Sequence, residues 1–276
     1  MNLFWAALVV AAVSAVATTA MLLVRRRAPK GSYFEDGDRA AGVFGVLATG
    51  FAVLLGFVVF LAFESFDTSR SGAEREPRIL AEQFETAQLM PVAVRGRFSG
   101  QLVCYARSVI HQEWPKMESD SLDAGYNRWG VAMFRTLRTT KPNSATEQAA
   151  YSKWLDQRTD REDARADRTH GAQGVIPIAL WIVLFLSAGI IFVFMLFFAD
   201  SGERAIVQAT MMGSVAIVIT STLLLLWFLD NPYHHGLGGL RPTAMDQILA
   251  ILTPEAGIAD GRFEIPCDPQ GVARAR

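Results

Sequence analysis

AAGVFGVLATGFAVLLGFVVFLAF, residues 40–63, decides the fold. The stretch carries no charge and stops at Glu64. As a helix rising ~1.5 Å per residue, it is longer than the ~30 Å hydrocarbon core of a bilayer. Inside it, Gly42, Gly45, Thr49, Ala52 and Gly56 recur at steps of three, four, three and four, which is one narrow helical face of small side chains. Phe44, Phe51, Leu54 and Val58 fall on other faces. In lipid, a face of small residues lets helix backbones approach closely. It therefore suits packing within a subunit, or a pore or subunit-packing face at the centre of an oligomer.

Working outward, three more apolar blocks appear. Residues 3–24 are uncharged and end at Arg25, Arg26 and Arg27. A signal peptide begins with positive charge and has a shorter apolar core, so this block is read as an uncleaved span. Residues 175–199 form the third span, with Pro177 in its first turn, where proline costs little. Residues 205–229 form the fourth, ending at Asp230. The short Asp200–Arg204 link makes the last two an antiparallel hairpin. Composition agrees: 51% of the 276 residues are hydrophobic and only 19% are charged, where a soluble domain carries about a quarter charged.

The fold class is therefore all-α, an integral membrane protein with four transmembrane helices. Residues 1–63 form a first hairpin, 64–174 a helical extramembrane domain, 175–229 a second hairpin and 230–276 a C-terminal tail. In the domain, Val94, Phe98, Leu102, Tyr105 and Val109 form an amphipathic stripe, and so do Leu122, Tyr126, Trp129, Met133 and Leu137. Breakers at Pro91, Pro115 and Pro142 divide it into helices over 64–89, 92–113, 121–139 and 144–172. Pro77 should kink the first of these or start a new one. The stripes are read as bundle core. The tail beyond residue 250, rich in Pro and Gly, is expected to be loosely ordered.

Orientation follows from the first loop, which holds Arg25, Arg26, Arg27, Lys30 and Arg39, while nothing positive precedes the first span. Short basic loops stay in the cytoplasm, which puts the extramembrane domain outside. Arg70, Arg75, Arg78, Arg161, Arg165 and Arg168, near the span ends, pull the other way, and the balance slightly favours outside. Two cysteines, Cys104 and Cys267, can pair if both lie outside the cytosol.

Charge beyond the bilayer is patterned too. Asp67, Arg70 and Glu74 continue the line of the small-residue face, with Glu64 a quarter turn away. In a symmetric ring, Glu64 or Asp67 would place carboxylates at a pore mouth, an arrangement that favours cations. Alternatively, they are solvated residues at the helix exit. Asp156, Asp160, Asp163 and Asp167 share one face of the last domain helix, with Arg158, Arg161, Arg165 and Arg168 roughly opposite. That suits contacts between subunits, or a solvated helix.

Chemistry is sparse. His111, His170, His234 and His235 show no metal-ligand spacing, and no HExxH, GxSxG, P-loop or kinase signature occurs. No ionisable residue lies inside a span. No catalytic residue, metal site or cofactor is expected. Net charge is -1, so no global field draws nucleic acid.

The layout resembles the bestrophin-like family of four-span proteins. The likeness rests on GVFGVLATGFAVLLGFVVF at 42–60, ESFDTSR at 64–70, HQEWPKM at 111–117, LWIVLF at 180–185 and Asp230-Asn-Pro-Tyr-His-His-Gly236, in that order along the chain. It covers about residues 1 to 250. The family is named for its likeness to bestrophins, pentameric ion channels whose second span lines the pore. The resemblance implies a homo-oligomeric ion channel, with a pentamer favoured. Gly42, Gly45, Thr49, Ala52 and Gly56 would lie at the pore axis, with Phe60 and Phe63 further along. The partners are the lipid bilayer, further copies of the chain and a permeant inorganic ion. The site is a bacterial inner membrane. Two features depart from bestrophins: the basic first loop argues against a cytosolic domain, and no bestrophin-type acidic calcium cluster is present. The alternative is a non-conducting sensor or scaffold whose helical domain binds a ligand or partner.

Overall fold

The structure, a computed structural model, describes residues 3–119, 121, 125–236, 238–255 and 264–274. Its regular structure, among the described residues, is helical, apart from one isolated bridge between Cys267 and Ala273. It divides into two compact units, Met1–Ser65 with Gly174–Gly238, and Phe66–Gln173 with Gly239–Arg276.

The first unit holds α1 (Leu3–Arg25), the start of α2 (Gly37–Gln88), α7 (Ile178–Phe197) and α8 (Ala205–Asp230). All four helices are long and apolar enough to cross a membrane, so the chain is a multi-pass membrane protein. α1 packs on α8 at Gly213, whose missing side chain leaves room for Ser14 and Thr18; Ser14 Oγ donates to the Gly213 carbonyl at 3.4 Å. Met21, Ala28, Ala199 and Met212 close that seam. Phe34 and Phe44 stack against Phe194 and Phe198, joining the start of α2 to α7.

Both ends of the α7–α8 hairpin are tied by an aspartate. Asp200 Oδ1 accepts from the backbone N of Gly31 at 2.9 Å and of Gly202 at 2.7 Å. Those two N–H groups hold its carboxyl below the usual carboxylate range. Arg25 donates to the carbonyls of Ser201 and Glu203, so the basic first loop and the second link meet on one side. At the other end, Asp230 Oδ1 accepts from Val175 N at 2.7 Å and Ile176 N at 3.0 Å. Gly174, at φ +69, makes room for that carboxylate.

The second unit packs the rest of α2 with α3 (Val92–Ser108), a π-helical turn (Val109–Glu113), α4 (Trp114–Glu118), α5 (Arg128–Thr139), α6 (Ala145–His170) and α9 (Thr243–Glu255). Phe98, Leu102, Tyr105, Trp129, Met133, Leu137 and Trp154 are buried. Phe98 and Trp154 stack with ring centroids 4.2 Å apart. Phe98, Leu102, Tyr105, Val109, Trp129, Met133 and Leu137 of the two stripes thus form core, with Val94 half-buried, and Trp154 of α6 joins them. Ser144 caps α6 by accepting from Glu147 N, while Glu147 accepts from Asn143 N at 2.7 Å, a variant of the capping box.

Four expectations are corrected. Pro77 neither ends nor restarts α2. One lost hydrogen bond costs about 3 kcal/mol, and the turns on either side are held by buried Glu76, Ile79 and Leu80. Pro115 does not break the chain after Glu113. It sits in α4, which continues the π-helical turn without a gap, Glu113 and Trp114 both keeping helical backbone dihedrals. α5 starts at Arg128 because Asn127 Oδ1 accepts from Trp129 N at 2.9 Å and caps it there. Tyr126 thus precedes the helix and is exposed, not core; Leu122 lies outside the described residues.

The fourth correction concerns the tail. Residues 256–263 lie outside the described residues, but 264–274 is pinned rather than loose. Cys267 is disulfide-bonded to Cys104 across a sequence separation of 163. Closing so long a loop is worth about 4–5 kcal/mol on chain-entropy grounds. Trp129 Nε1 donates to the Gly271 carbonyl at 2.8 Å and Arg107 to the Asp268 carbonyl at 3.2 Å.

The closest backbone approach in this unit is at Gly72, where an added Cβ would lie 2.6 Å from the Ala164 carbonyl oxygen and 2.8 Å from Arg168 Cα. Both neighbours are backbone and cannot swing away. Gly72→Ala should therefore destabilise the protein by about 1–3 kcal/mol, read as a lowered Tm. Gly189→Ala, whose Cβ would meet nothing within 4 Å, should leave Tm within the ~0.5 kcal/mol scatter of surface changes.

Candidate functional site

α2 has one buried line and one open one. Phe51, Leu55, Val58, Ala62, Ser65 and Ser69 are buried at alternating steps of four and three. Gly42, Gly45, Thr49, Ala52 and Gly56 lie on another face, and every one is exposed within the protomer. Phe60 and Phe63 are exposed as well, at 56% and 53%. A Cβ added at Gly42, Gly45 or Gly56 would meet nothing within 4 Å. The small-residue face is thus not used for packing inside one subunit. Its surroundings are apolar, with Val43, Val46, Val53 and Phe57 also exposed. Lipid or another protein surface must cover them.

Glu64 and Asp67 are exposed where the apolar run ends. Next on that line, Arg70 Nε meets Glu74 Oε1 at 3.2 Å, an exposed i,i+4 pair of small energetic weight.

The charged helix α6 is arranged differently from expectation. Its buried line is Ala150, Trp154, Gln157, Arg161, Ala164 and Arg168. Two of the four arginines therefore face the protein's own interior, and neither solvent nor a neighbouring subunit reaches them. Arg168 binds both oxygens of Glu76 from α2 through Nε and Nη2, and the same Nη2 reaches Glu113 Oε2 at 2.6 Å. Arg165 reaches Glu113 Oε1 at 3.2 Å, and Asn127 donates to the same oxygen at 2.8 Å. Tyr105 Oη donates to Glu76 Oε1 at 2.6 Å. Arg161 donates to Gln83 at 2.8 Å and Glu162 at 2.9 Å, with its guanidinium over the Tyr105 ring. The aspartate face stays outside. Asp160 and Asp167 each lie 3.9 Å from Arg75, in exposed pairs that contribute little.

Charge balances in this core, with Glu76, Glu113 and Glu162 against Arg161, Arg165 and Arg168. Burial pushes the Glu113 carboxyl up, but Arg168 and Arg165 outweigh it and hold it below the usual range. Burial pulls Arg168 down, and Glu76 and Glu113 more than reverse that. Burial, reinforced by Glu76, raises the Tyr105 phenol well above its ordinary value. A network of this kind orients helices, although Arg161 Nε and Gln83 Nε2 are buried in it without a hydrogen-bond partner among the described residues. One sequence signal did point to it: Glu113 is flanked by Val109 and Met117 at i−4 and i+4, and so sits on an apolar stripe.

The bestrophin-like domain family matches residues 11–244. Similar solved structures include a variant of a membrane protein, at 13% identity and TM-score 0.68, covering 91% of this chain and 99% of that one. A variant of a bacterial bestrophin homologue from Klebsiella pneumoniae is similar at 16% identity and TM-score 0.66, covering 92% and 98%. A second structure of that homologue gives 14% identity and TM-score 0.66, covering 93% and 99%. At such identities the likeness shows a shared fold. No curated protein matches the chain.

Removing one partner from the network strands a buried charge. Arg168→Met should cost about 3–5 kcal/mol, and adding Glu76→Gln should recover part of that loss in a thermal-unfolding cycle. Glu113 has a folded pKa below its unfolded one. Its stabilisation is thus complete above the ordinary carboxylate range and disappears as pH falls through its own lower pKa. Tm measured against pH should show a shallower acid limb in Glu113→Gln, on top of a lower Tm at neutral pH.

Proposed function

The chain belongs to the bestrophin-like family, and on that premise we propose that it is a homo-oligomeric ion channel of the bacterial inner membrane. Its second spans surround the axis. The observation that carries the proposal is the glycine-lined side of α2, open along its whole length within the protomer. Small residues there permit close approach of neighbouring copies, and a narrow apolar constriction can gate by dewetting. Gly42, Gly45, Thr49, Ala52, Gly56, Phe60 and Phe63 line the path. Glu64 and Asp67 ring its mouth with carboxylates, which attract cations. A pentamer is the oligomer that the resemblance to bestrophins suggests.

The extramembrane domain lies outside the cytosol in this reading. Two independent observations support it. The basic loop between α1 and α2 meets the α7–α8 link on the opposite side, and the domain carries the Cys104–Cys267 disulfide, which persists in oxidising compartments.

Purified protein in planar bilayers should show unitary currents, and Gly56→Leu should change or abolish them without lowering Tm by more than a surface change does. Silence of the wild-type protein across ionic conditions would remove the proposal. For orientation, an impermeant thiol reagent applied to intact spheroplasts should label Ser144→Cys and leave Ser32→Cys unlabelled; the reverse pattern would invert the topology.

A further inference from the structure

Beside the charge network, and sharing Glu113, Asn127 and Arg165 with it, the extramembrane unit holds a cavity of about 260 Å³ against the π-helical turn. Its wall includes Ser108, Gln112, Lys116, Tyr126, Arg128 and Arg165. A π turn inserts one extra residue in a helix and is frequent at functional sites. Here it lies in the cavity wall, where Gln112 and Glu113 both line the space.

Three acceptors around this cavity are already engaged. Glu113 takes hydrogen bonds from Asn127, Arg165 and Arg168. The Gly125 carbonyl accepts from Arg165 at 2.9 Å, and Asn127 Oδ1 accepts from Trp129 N at 2.9 Å. Of the three cations in the wall, Arg165 is held by Glu113 and Arg128 lies over the Trp129 ring. Lys116 and Arg128 are exposed and have no ion-pair partner among the described residues. Arg128 is also the first residue of α5, where a positive charge opposes the helix dipole and an anion offsets it. The Tyr126 and Ser108 hydroxyls add donors.

A site with three cationic side chains, whose one carboxylate among the described residues is already held by Asn127, Arg165 and Arg168, selects an oxyanion. Its volume falls below the ~300–1,000 Å³ of drug-sized sites, so the ligand is metabolite-sized. We propose that this cavity binds a small multivalent oxyanion, a polycarboxylate or a phosphate, held by Lys116 and Arg128. Binding here requires neither conduction nor oligomerisation, so this inference stands apart from the channel reading.

The test is isothermal titration of the full-length protein in nanodiscs with citrate and, separately, inorganic phosphate, at ionic strength held constant with sodium chloride. Saturable binding of either anion is expected, and the one that binds identifies the group recognised. Lys116→Ala with Arg128→Ala should weaken it tenfold or more. Lys141→Ala, an exposed lysine outside the cavity wall, should bind as the wild type does. Both substituted side chains are exposed, so an unchanged Tm will show that the double variant is folded. Failure of both anions to bind, or equal affinity in the wild type and the double variant, would overturn the inference.

Discussion

Arg168 sits between two carboxylates from different parts of the chain, Glu76 on α2 and Glu113 on the π turn, and all three side chains are essentially out of water. Burying an isolated charge costs several kcal/mol even after relaxation. Three charges survive there because each is matched, and because Tyr105, Asn127 and Arg165 complete the hydrogen bonding. Such an arrangement tolerates no sliding. A helix shifted by one residue would turn Glu76 away by about 100° and leave Arg168 facing apolar atoms. The network therefore specifies how α2, α6 and the π turn lie against one another, as their apolar contacts alone would not.

α2 keeps one buried line along its length. The line from Phe51 through Ser65 and Ser69 continues to Gly72 and Glu76 at the same alternating steps. Gly72 brings α2 against the backbone of α6 at Ala164 and Arg168. Once that line is committed inward, the glycine-lined side of the same helix is committed outward. The exposed stripe at Gly42–Gly56 is the other side of the buried line at Phe51, Leu55, Val58 and Ala62.

Much of this was legible in the sequence. Four uncharged runs of bilayer length read directly as spans, since hydropathy over some twenty residues is a local property. The small-residue side of the second span is equally local, being a matter of spacing along one helix. So were the amphipathic stripes of Phe98, Leu102, Trp129 and Met133, which form the core. Misreadings occurred where a local rule met a tertiary partner. Pro115 was a breaker by propensity, yet α4 follows the π turn without a gap, and α2 runs on through Pro77 without starting a new helix. The arginines of α6 were surface residues by type, yet Arg161 and Arg168 share a buried line with Trp154 and Ala164. Their counter-charges lie on other helices, invisible to any window.

By itself, then, the sequence determined that this chain is helical, that it crosses a membrane four times and that its second span carries a side fit for close approach, because each is set by residues within a few turns of one another. Only the tertiary structure decided that the arginine face turns inward, that a π turn delivers Glu113 to it and that the tail is stapled back to α3. Those outcomes depend on pairs such as Glu76 with Arg168, separated by 92 positions, and Cys104 with Cys267, separated by 163. The free energy of a buried charge is set by what the folded chain places beside it, and periodicity along one helix carries no record of that partner.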